Sequence, residues 1–503
     1  LPWRVDFPHP MRRGFGASAK PAGWRLGRWT LLAGGIGLAA WPSLADELRE
    51  ALVMAYNSNP TIQAARAQQR ATDEGVQIAR APGLPSLSGT ATFTEFTSSS
   101  GSEFNASAPA RIVDTGASLS YPLYSGGGIK NSVRAAETRV VAGRSDLRAV
   151  ESGIFTQTTT VYMDVILAQE VVKLNRANVQ RLEVNLQATK DRFEIGDLTR
   201  TDVAQSESRL ALARGQVRSA EANLISARER YIQVVGKEPE NLAPPPPLAG
   251  LPSSVDDAVD FALDHNPDLL AARDRAKAAG FDVKVAGASR MPRVSAFANA
   301  GYTDYLGTRG GILPSALQSG TSTTAGVRAT IPLFQGGQPA AQRRAAQARQ
   351  DAALEQQVGV ERSVISAVRS AYAQWQAAQS LIASSQTAVD AATLSLEGVR
   401  AENTVGNRTI IDILNAENEL LNAQVQLETA KRNAYVAGFN LLAAMGKAEA
   451  RDLGLDGGML YDPVTNYERV SGKIWDWSND PAPKTDATRT VDTKAQDGSV
   501  GGQ

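Results

Sequence analysis

Between residues 410 and 445, apolar residues return every seven positions: Ile413, Leu420, Leu427, Ala434 and Leu441. Ala416, Ala423, Ala430 and Ala437 form a companion row, and Leu414, Leu421, Tyr435 and Leu442 widen the face. The same pattern runs through Val203, Leu210, Val217, Leu224 and Tyr231, beside Ser206, Ala213, Ala220, Ala227 and Val234. A sustained seven-residue repeat predicts long helices in left-handed coiled-coil packing. One seam is large and the other small, so neighbouring helices approach closely, and contacts on both sides suit a closed ring. From Ile129 to Ile195 the pattern is helical for about 67 residues, or roughly 100 Å. Gly143 and Gly153 lie inside it, each costing only about 1 kcal/mol. No compact domain holds a helix of that length.

Two pairs of segments alternate small or polar residues with apolar ones, which predicts strands. They are Leu87–Thr97 with Ile112–Leu123, and Val294–Thr303 with Thr324–Leu333, each pair separated by a polar, glycine-rich loop. Each is close to the 9–11 residues of a tilted membrane strand. Four strands cannot close a barrel, and lipid does not tolerate an open edge. Either the strands form a sheet in water or several chains pool them; three chains give twelve.

The chain repeats itself. YPLYSGG at Tyr121–Gly127 returns as IPLFQGG at Ile331–Gly337, and Asn59-Pro60 returns as Asn266-Pro267. Gly196 matches Gly406 and Asp202 matches Asp412. The expected units are 46–237 and 255–450, joined by a stiff linker, 238–254, rich in proline. Each opens on a helix of roughly 30 residues, then a strand pair (87–124 or 294–334), a very long helix, a glycine turn and another helix. Pro122 and Pro332 are expected to end the strand ladder, and Gly126, Gly127, Gly336 and Gly337 to redirect the chain. The tail, 451–503, is expected to be partly disordered, from about Pro481 onward.

Composition narrows the function. Aromatics are 6 %, thin for compact cores, and there is no cysteine, which excludes disulfides and thiolate metal sites. Residues 1–45 read as a signal peptide with an upstream extension: a basic stretch, a short apolar run over Trp29–Ala40, and Ser43-Leu44-Ala45 as a cleavage site, with Met11 a candidate start. Without them the net charge is −5, which excludes a nucleic-acid binder. Only His9 and His265 could serve as histidine bases, and no nucleophile set or metal spacing accompanies them. No enzyme activity and no cofactor is expected.

IPLFQGG, the duplication, and VGNRTIIDILNAENELLNAQVQLETAKRNAYVAGFNLLAAMG together resemble the TolC family of outer-membrane channels over about 46–450. The resemblance implies a membrane α+β fold: a homotrimer with one 12-stranded β-barrel, four strands per chain, continued by a long α-helical periplasmic tunnel. It implies a passive exit duct in the outer membrane, working with a periplasmic adaptor and an inner-membrane ABC transporter or proton-driven pump. Cargo is protein in type I secretion, which the tail with Tyr461, Tyr467, Trp475 and Trp477 resembles, or drugs in multidrug efflux. The rival is a soluble periplasmic coiled-coil adaptor. Tyr124 and Phe334 match an aromatic girdle, and Gly196 and Gly406 the periplasmic turns. Thr201 and Asp202 match the first inner turn of the family's gate, Arg408 the arginine that reaches them, and Asp412 a constriction-ring carboxylate. Two positions depart from the family: Asn415 replaces a second aspartate and Asn403 a tyrosine, which implies fewer ring charges and one missing link. Thr199-x-x-Asp202 and Thr409-x-x-Asp412 also fit capping boxes, so capping and gating both stand.

Overall fold

The computed structural model describes residues 47–97, 109–240, 242–309, 318–455 and 460–500. The expected signal peptide and most of both polar strand loops lie outside these. The elements run α1 (Glu47–Ser58), α2 (Pro60–Arg80), β1 (Ser86–Glu95), β2 (Arg111–Tyr124), α3 (Gly128–Glu194), α4 (Arg200–Val235), α5 (Val255–His265), α6 (Pro267–Ala288), β3 (Arg293–Asp304), β4 (Ser319–Thr330), α7 (Gln338–Thr404), α8 (Ile410–Met445) and α9 (Pro463–Ser471). The duplication is plain in the lengths: α3 and α7 each have 67 residues, α4 and α8 each 36. On α8 the seven-residue row Ile413, Leu420, Leu427, Ala434 and Leu441 is buried throughout.

The opening helix of each half is not continuous. Asn59 and Asn266 leave helical geometry (ψ 126 and 122) and cap the following helix, with proline at its first position. Proline is tolerated there because its missing N–H would be unpaired anyway. The Asn59 side-chain Oδ1 accepts from Thr61 N, while its Nδ2 donates to Val234 O at 2.9 Å. Asn266 accepts from Asp268 N and Leu269 N, and donates to Ala444 O at 2.9 Å. Each asparagine thus pins a helix break to the far end of the fourth helix of its own half, α4 or α8.

The strands form one antiparallel sheet in the order β1-β2-β3-β4. β4 sits earlier than the alternation suggests, so Ile331–Gly337 lies beyond its end. Pro332 is therefore past the ladder, but Pro122 is inside it, opposite Ser295. The pairing of β1 with β2 ends at Ser86–Ser120, so β2 has a partner on one side only at Pro122, and a bulge follows between Pro122 and Tyr124. A missing N–H on an unpaired side costs the ladder nothing.

Register separates the two faces of the sheet. One carries Leu87, Ala91, Phe93, Val113, Ala117, Leu119, Tyr121, Ala296, Ala298, Ala325, Val327 and Ala329. The other carries Ser88, Thr90, Thr92, Asp114, Ser118, Asn299, Thr303 and Thr324, joined by bonds such as Thr303 Oγ1 to Asp114 at 2.6 Å and Ser88 to Ser118 at 2.7 Å. Both faces are largely exposed in the single chain; Phe93 and Val327 are 60 % and 65 % accessible.

The tail is ordered by side chains of the helices. Arg66 is buried between the rings of Tyr56 and Tyr461, at 4.2 and 4.9 Å from their centroids. Beside them a cavity lined by Arg144, Arg148, Glu151 and Glu449 holds Glu151, whose carboxyl burial pushes up to about 7. The stretch after Pro481, read as disordered from composition, has no helix or strand but follows α4: Arg228 donates to Asp497 O and Ser499 O, and the Glu229 and Glu238 carboxylates accept from Gln496 N and Lys494 N.

Asn59→Ala is expected to destabilise the fold by about 2 kcal/mol, through a lost cap and an unpaired buried carbonyl. Asn59→Asp keeps the cap but not the bond to Val234. Thermal dissociation of the assembled protein should rank the wild type above both variants, and an unshifted Asn59→Asp would show that the Val234 bond contributes nothing.

Candidate functional site

The hairpin tips opposite the sheet hold the candidate gate. At the first, Gly196 (φ 82) follows α3, its N–H donating to Phe193 O while Asp197 N donates to Arg192 O. At the second, Gly406 (φ 83) follows α7, with Gly406 N to Asn403 O and Asn407 N to Glu402 O. A Cβ at either glycine would meet nothing within 4 Å, so the left-handed backbone alone demands glycine.

Each turn feeds a capped helix. The Asp202 carboxylate accepts from Thr199 N at 2.9 Å and Thr199 Oγ1 at 2.7 Å; that of Asp412 accepts from Thr409 N at 3.0 Å and Thr409 Oγ1 at 2.7 Å. These bonds favour the charged form and hold both carboxyls below the usual carboxylate range. The capping boxes read from the sequence are thus present. Thr201 is exposed on the first turn of α4. Within one chain Arg408 does not meet Thr201 or Asp202: its Nε donates to Glu402 at 2.7 Å, with Asp412 close enough to raise its pKa further. Arg408 is exposed, while Asp202 and Asp412 are half-buried.

The two departures from the family pattern are both engaged. Asn403 accepts from Arg192 Nη1 at 3.3 Å, tying one hairpin tip to the other, and donates to Arg408 O at 2.7 Å. Asn415 accepts from Arg209 Nη2 at 2.8 Å, tying α8 to α4. Sequence reasoning missed Glu417. It is 1 % exposed, and its Oε1 accepts from Asn185 Nδ2 at 2.7 Å and Arg400 Nη2 at 2.8 Å, so one carboxylate links α3, α7 and α8. The available signal was its place between Leu414 and Leu421, where the stripe calls for an apolar residue. A buried charge held this way resists separation of the two hairpins.

At the other end, Gly126, Gly127, Gly336 and Gly337 all have left-handed backbones (φ 64, 79, 60 and 81). The two junctions differ in surroundings. A Cβ on Gly126 would lie 2.4 Å from the Met291 Cβ, whereas one on Gly336 would meet nothing. Tyr124 and Phe334 are exposed beside them, at 52 % and 89 %. The same contrast runs down the long helices: 21 side chains of α3 are buried but only 7 of α7. α3 packs against both α2 and α6, whereas α7 packs against α6, the equivalent of α2, and among the described residues has no equivalent of the α3–α6 contact on its far side. The second half is therefore built for a neighbour that one chain does not supply.

Because the folded pKa values of Asp202 and Asp412 are depressed, their capping contribution is complete above the ordinary value of 3.8 and is lost as pH falls through the lower folded values. Hydrogen exchange at the two tips should rise, beyond its intrinsic pH dependence, only as pH falls below about 4. Asp412→Asn should abolish that rise at the second tip alone.

The family model described as outer membrane efflux protein matches residues 51–237 and 258–447. The outer membrane efflux protein BepC of Brucella suis is 32 % identical over 447 residues, covering 88 % of this chain and 94 % of BepC. TolC of Escherichia coli is 28 % identical over 458 residues, with 87 % and 90 % covered. The alkaline protease secretion protein AprF of Pseudomonas aeruginosa is 27 % identical over 316 residues, with 61 % and 64 % covered. Among solved structures, the outer membrane protein VceC of Vibrio cholerae superposes with a TM-score of 0.68 at 23 % identity, over 81 % of this chain and 99 % of VceC, and so shares the fold. The missing neighbour of α7, the open sheet edges and these matches have one explanation: the chain belongs to the outer membrane efflux protein family, whose members are trimeric, non-enzymatic outer-membrane channels of the TolC type.

Proposed function

We propose that this channel is the exit duct of a type I protein secretion system. Like other family members it works as a homotrimer with a periplasmic adaptor and an inner-membrane ABC transporter or pump. The observation that carries the duct reading is the pairing of an open four-stranded sheet with 67-residue helices, which three copies turn into a barrel continued by a tunnel. Protein cargo is supported by the tail's resemblance to type I secretion members and by the likeness to AprF, a secretion protein by name. Efflux of small molecules is the second reading, favoured by the greater identity to BepC. Loss of this chain should abolish secretion of an ABC-exported protein; if drug susceptibility rises while secretion persists, the efflux reading replaces it.

For the gate, the proposed roles are an Arg408 link to Thr201 and Asp202 of a neighbouring hairpin, and a ring of three Asp412 carboxylates. Arg408 is exposed and pairs with Glu402 only at the surface, so little holds it back from such a partner. In planar bilayers the wild type should show a small, steady conductance that increases in Arg408→Ala. A conductance indifferent to the substitution would return Asp202 and Asp412 to helix capping alone.

The duplication also fixes how copies meet. Applying the β2–β3 register to the free edges places Val327 opposite Phe93 of the next protomer, since Ala117 pairs with Ala300. Both belong to the apolar face, as a continuous barrel requires. The natural chain has no cysteine, so a Phe93→Cys/Val327→Cys double variant should form a covalent trimer on oxidation, while either single variant should not.

A further inference from the structure

The polar face of the sheet lines the barrel lumen, and its charges are unevenly placed. Among the described strand residues it carries three: Asp114, Arg293 and Arg328. Asp114 lies toward the loop end and is bonded by Thr303. The two arginines lie together at the end that meets the tunnel. Arg293 opposes Thr330, and Arg328 opposes Ser295, so the arginines are diagonal neighbours on adjacent strands. Their level on β2 is Pro122, eight residues from Asp114, or about 27 Å along the strand. That exceeds the roughly 8 Å screening length of physiological salt several times over. Neither arginine pairs with a carboxylate among the described residues. The free edges add no charge to this face, since the residues that β1 of the next protomer contributes to it are Ser86, Ser88, Thr90, Thr92 and Thr94.

Arg328 is also held in place. Its guanidinium sits 5.0 Å from the Phe297 ring centroid, and Phe297 opposes Gly326 across the β3–β4 pair. A Cβ on Gly326 would come within 3.2 Å of the Phe297 ring. The glycine therefore leaves room for the ring to lie against the backbone, and the ring supports the cation. An arginine on a bare polar strand would have no such seat.

We propose that Arg293 and Arg328 form a guanidinium ring at the base of the barrel lumen, two from each chain and six in the trimer, that attracts and retains anionic solutes bearing carboxylate or phosphate groups. This rests on the trimeric duct described above. It makes Arg293 and Arg328 determinants of charge preference at the barrel end of the duct, opposite in sign to the carboxylates of Asp202 and Asp412 at the tunnel mouth. Phe297 is a positioning residue for Arg328.

The test is block of the reconstituted trimer by inorganic tripolyphosphate added on the loop side. Wild type should be blocked, and the Arg293→Gln/Arg328→Gln variant should need about tenfold more blocker, as expected for loss of a focused field. Its reversal potential in a potassium chloride gradient should also move toward cation preference. Arg328→Lys should retain the block, and Phe297→Leu should weaken it without removing it. Equal block of the wild type and the double variant would overturn the proposal, as would a conducting wild type that tripolyphosphate does not block. Absence of any conductance from a folded trimer would instead overturn the duct reading beneath it.

Discussion

A strand edge cannot face hydrocarbon. Each N–H and C=O left unpaired in lipid costs several kcal/mol, and a four-stranded sheet has two such edges. Everything distinctive in this chain follows from closing that sheet. Closure requires three copies, and because each strand pair has a helix at both ends, three copies bring twelve helices to the barrel. Within the chain the contact from first half to second is explicit: β2 on β3, α3 on α6. The contact from second half to the next copy must repeat it. That is why Gly336 and the far face of α7 are bare where Gly126 and α3 are packed.

The tunnel is held differently from the barrel. Its seams are apolar and repetitive, which supplies cohesion without fixing where one hairpin ends against another. Polar pins fix those points. Asn59 and Asn266 tie the helix breaks to Val234 and Ala444, and Glu417 ties α3, α7 and α8 near the tips. Toward the mouth the polar contacts become exposed, and exposed pairs hold weakly.

Much of this was legible in the sequence, because the governing patterns are long. Seven-residue rows persist for five turns of the repeat, and the absence of proline inside them fixes the helix lengths. The capping boxes and the left-handed glycines were legible for the opposite reason: each is dictated by its own few residues. What was not legible depends on distant partners. Asn-Pro reads as a continuous helix, since proline is harmless at a first turn, and only Val234 and Ala444 make the break necessary. Pro122 reads as a strand end, and is tolerated inside β2 because β1 has already stopped. Glu417 stands at an apolar position of the stripe, but its role depends on Asn185 and Arg400, which lie far from it in sequence or on another helix. The docked tail has no periodicity to read; its backbone is held by charged side chains of α4.

The open edges of the sheet also have a genetic meaning. A chain whose β4 edge is spoiled but whose helices are intact would still enter trimers, and one such copy leaves a seam unpaired in an otherwise normal barrel. With equal amounts of normal and spoiled chains mixing at random, only about one trimer in eight would be free of the defect. Edge substitutions should therefore be dominant over the normal allele, whereas a chain too unstable to fold would never enter a trimer and would be recessive. The same four strands that make the chain dependent on its copies make it vulnerable to them.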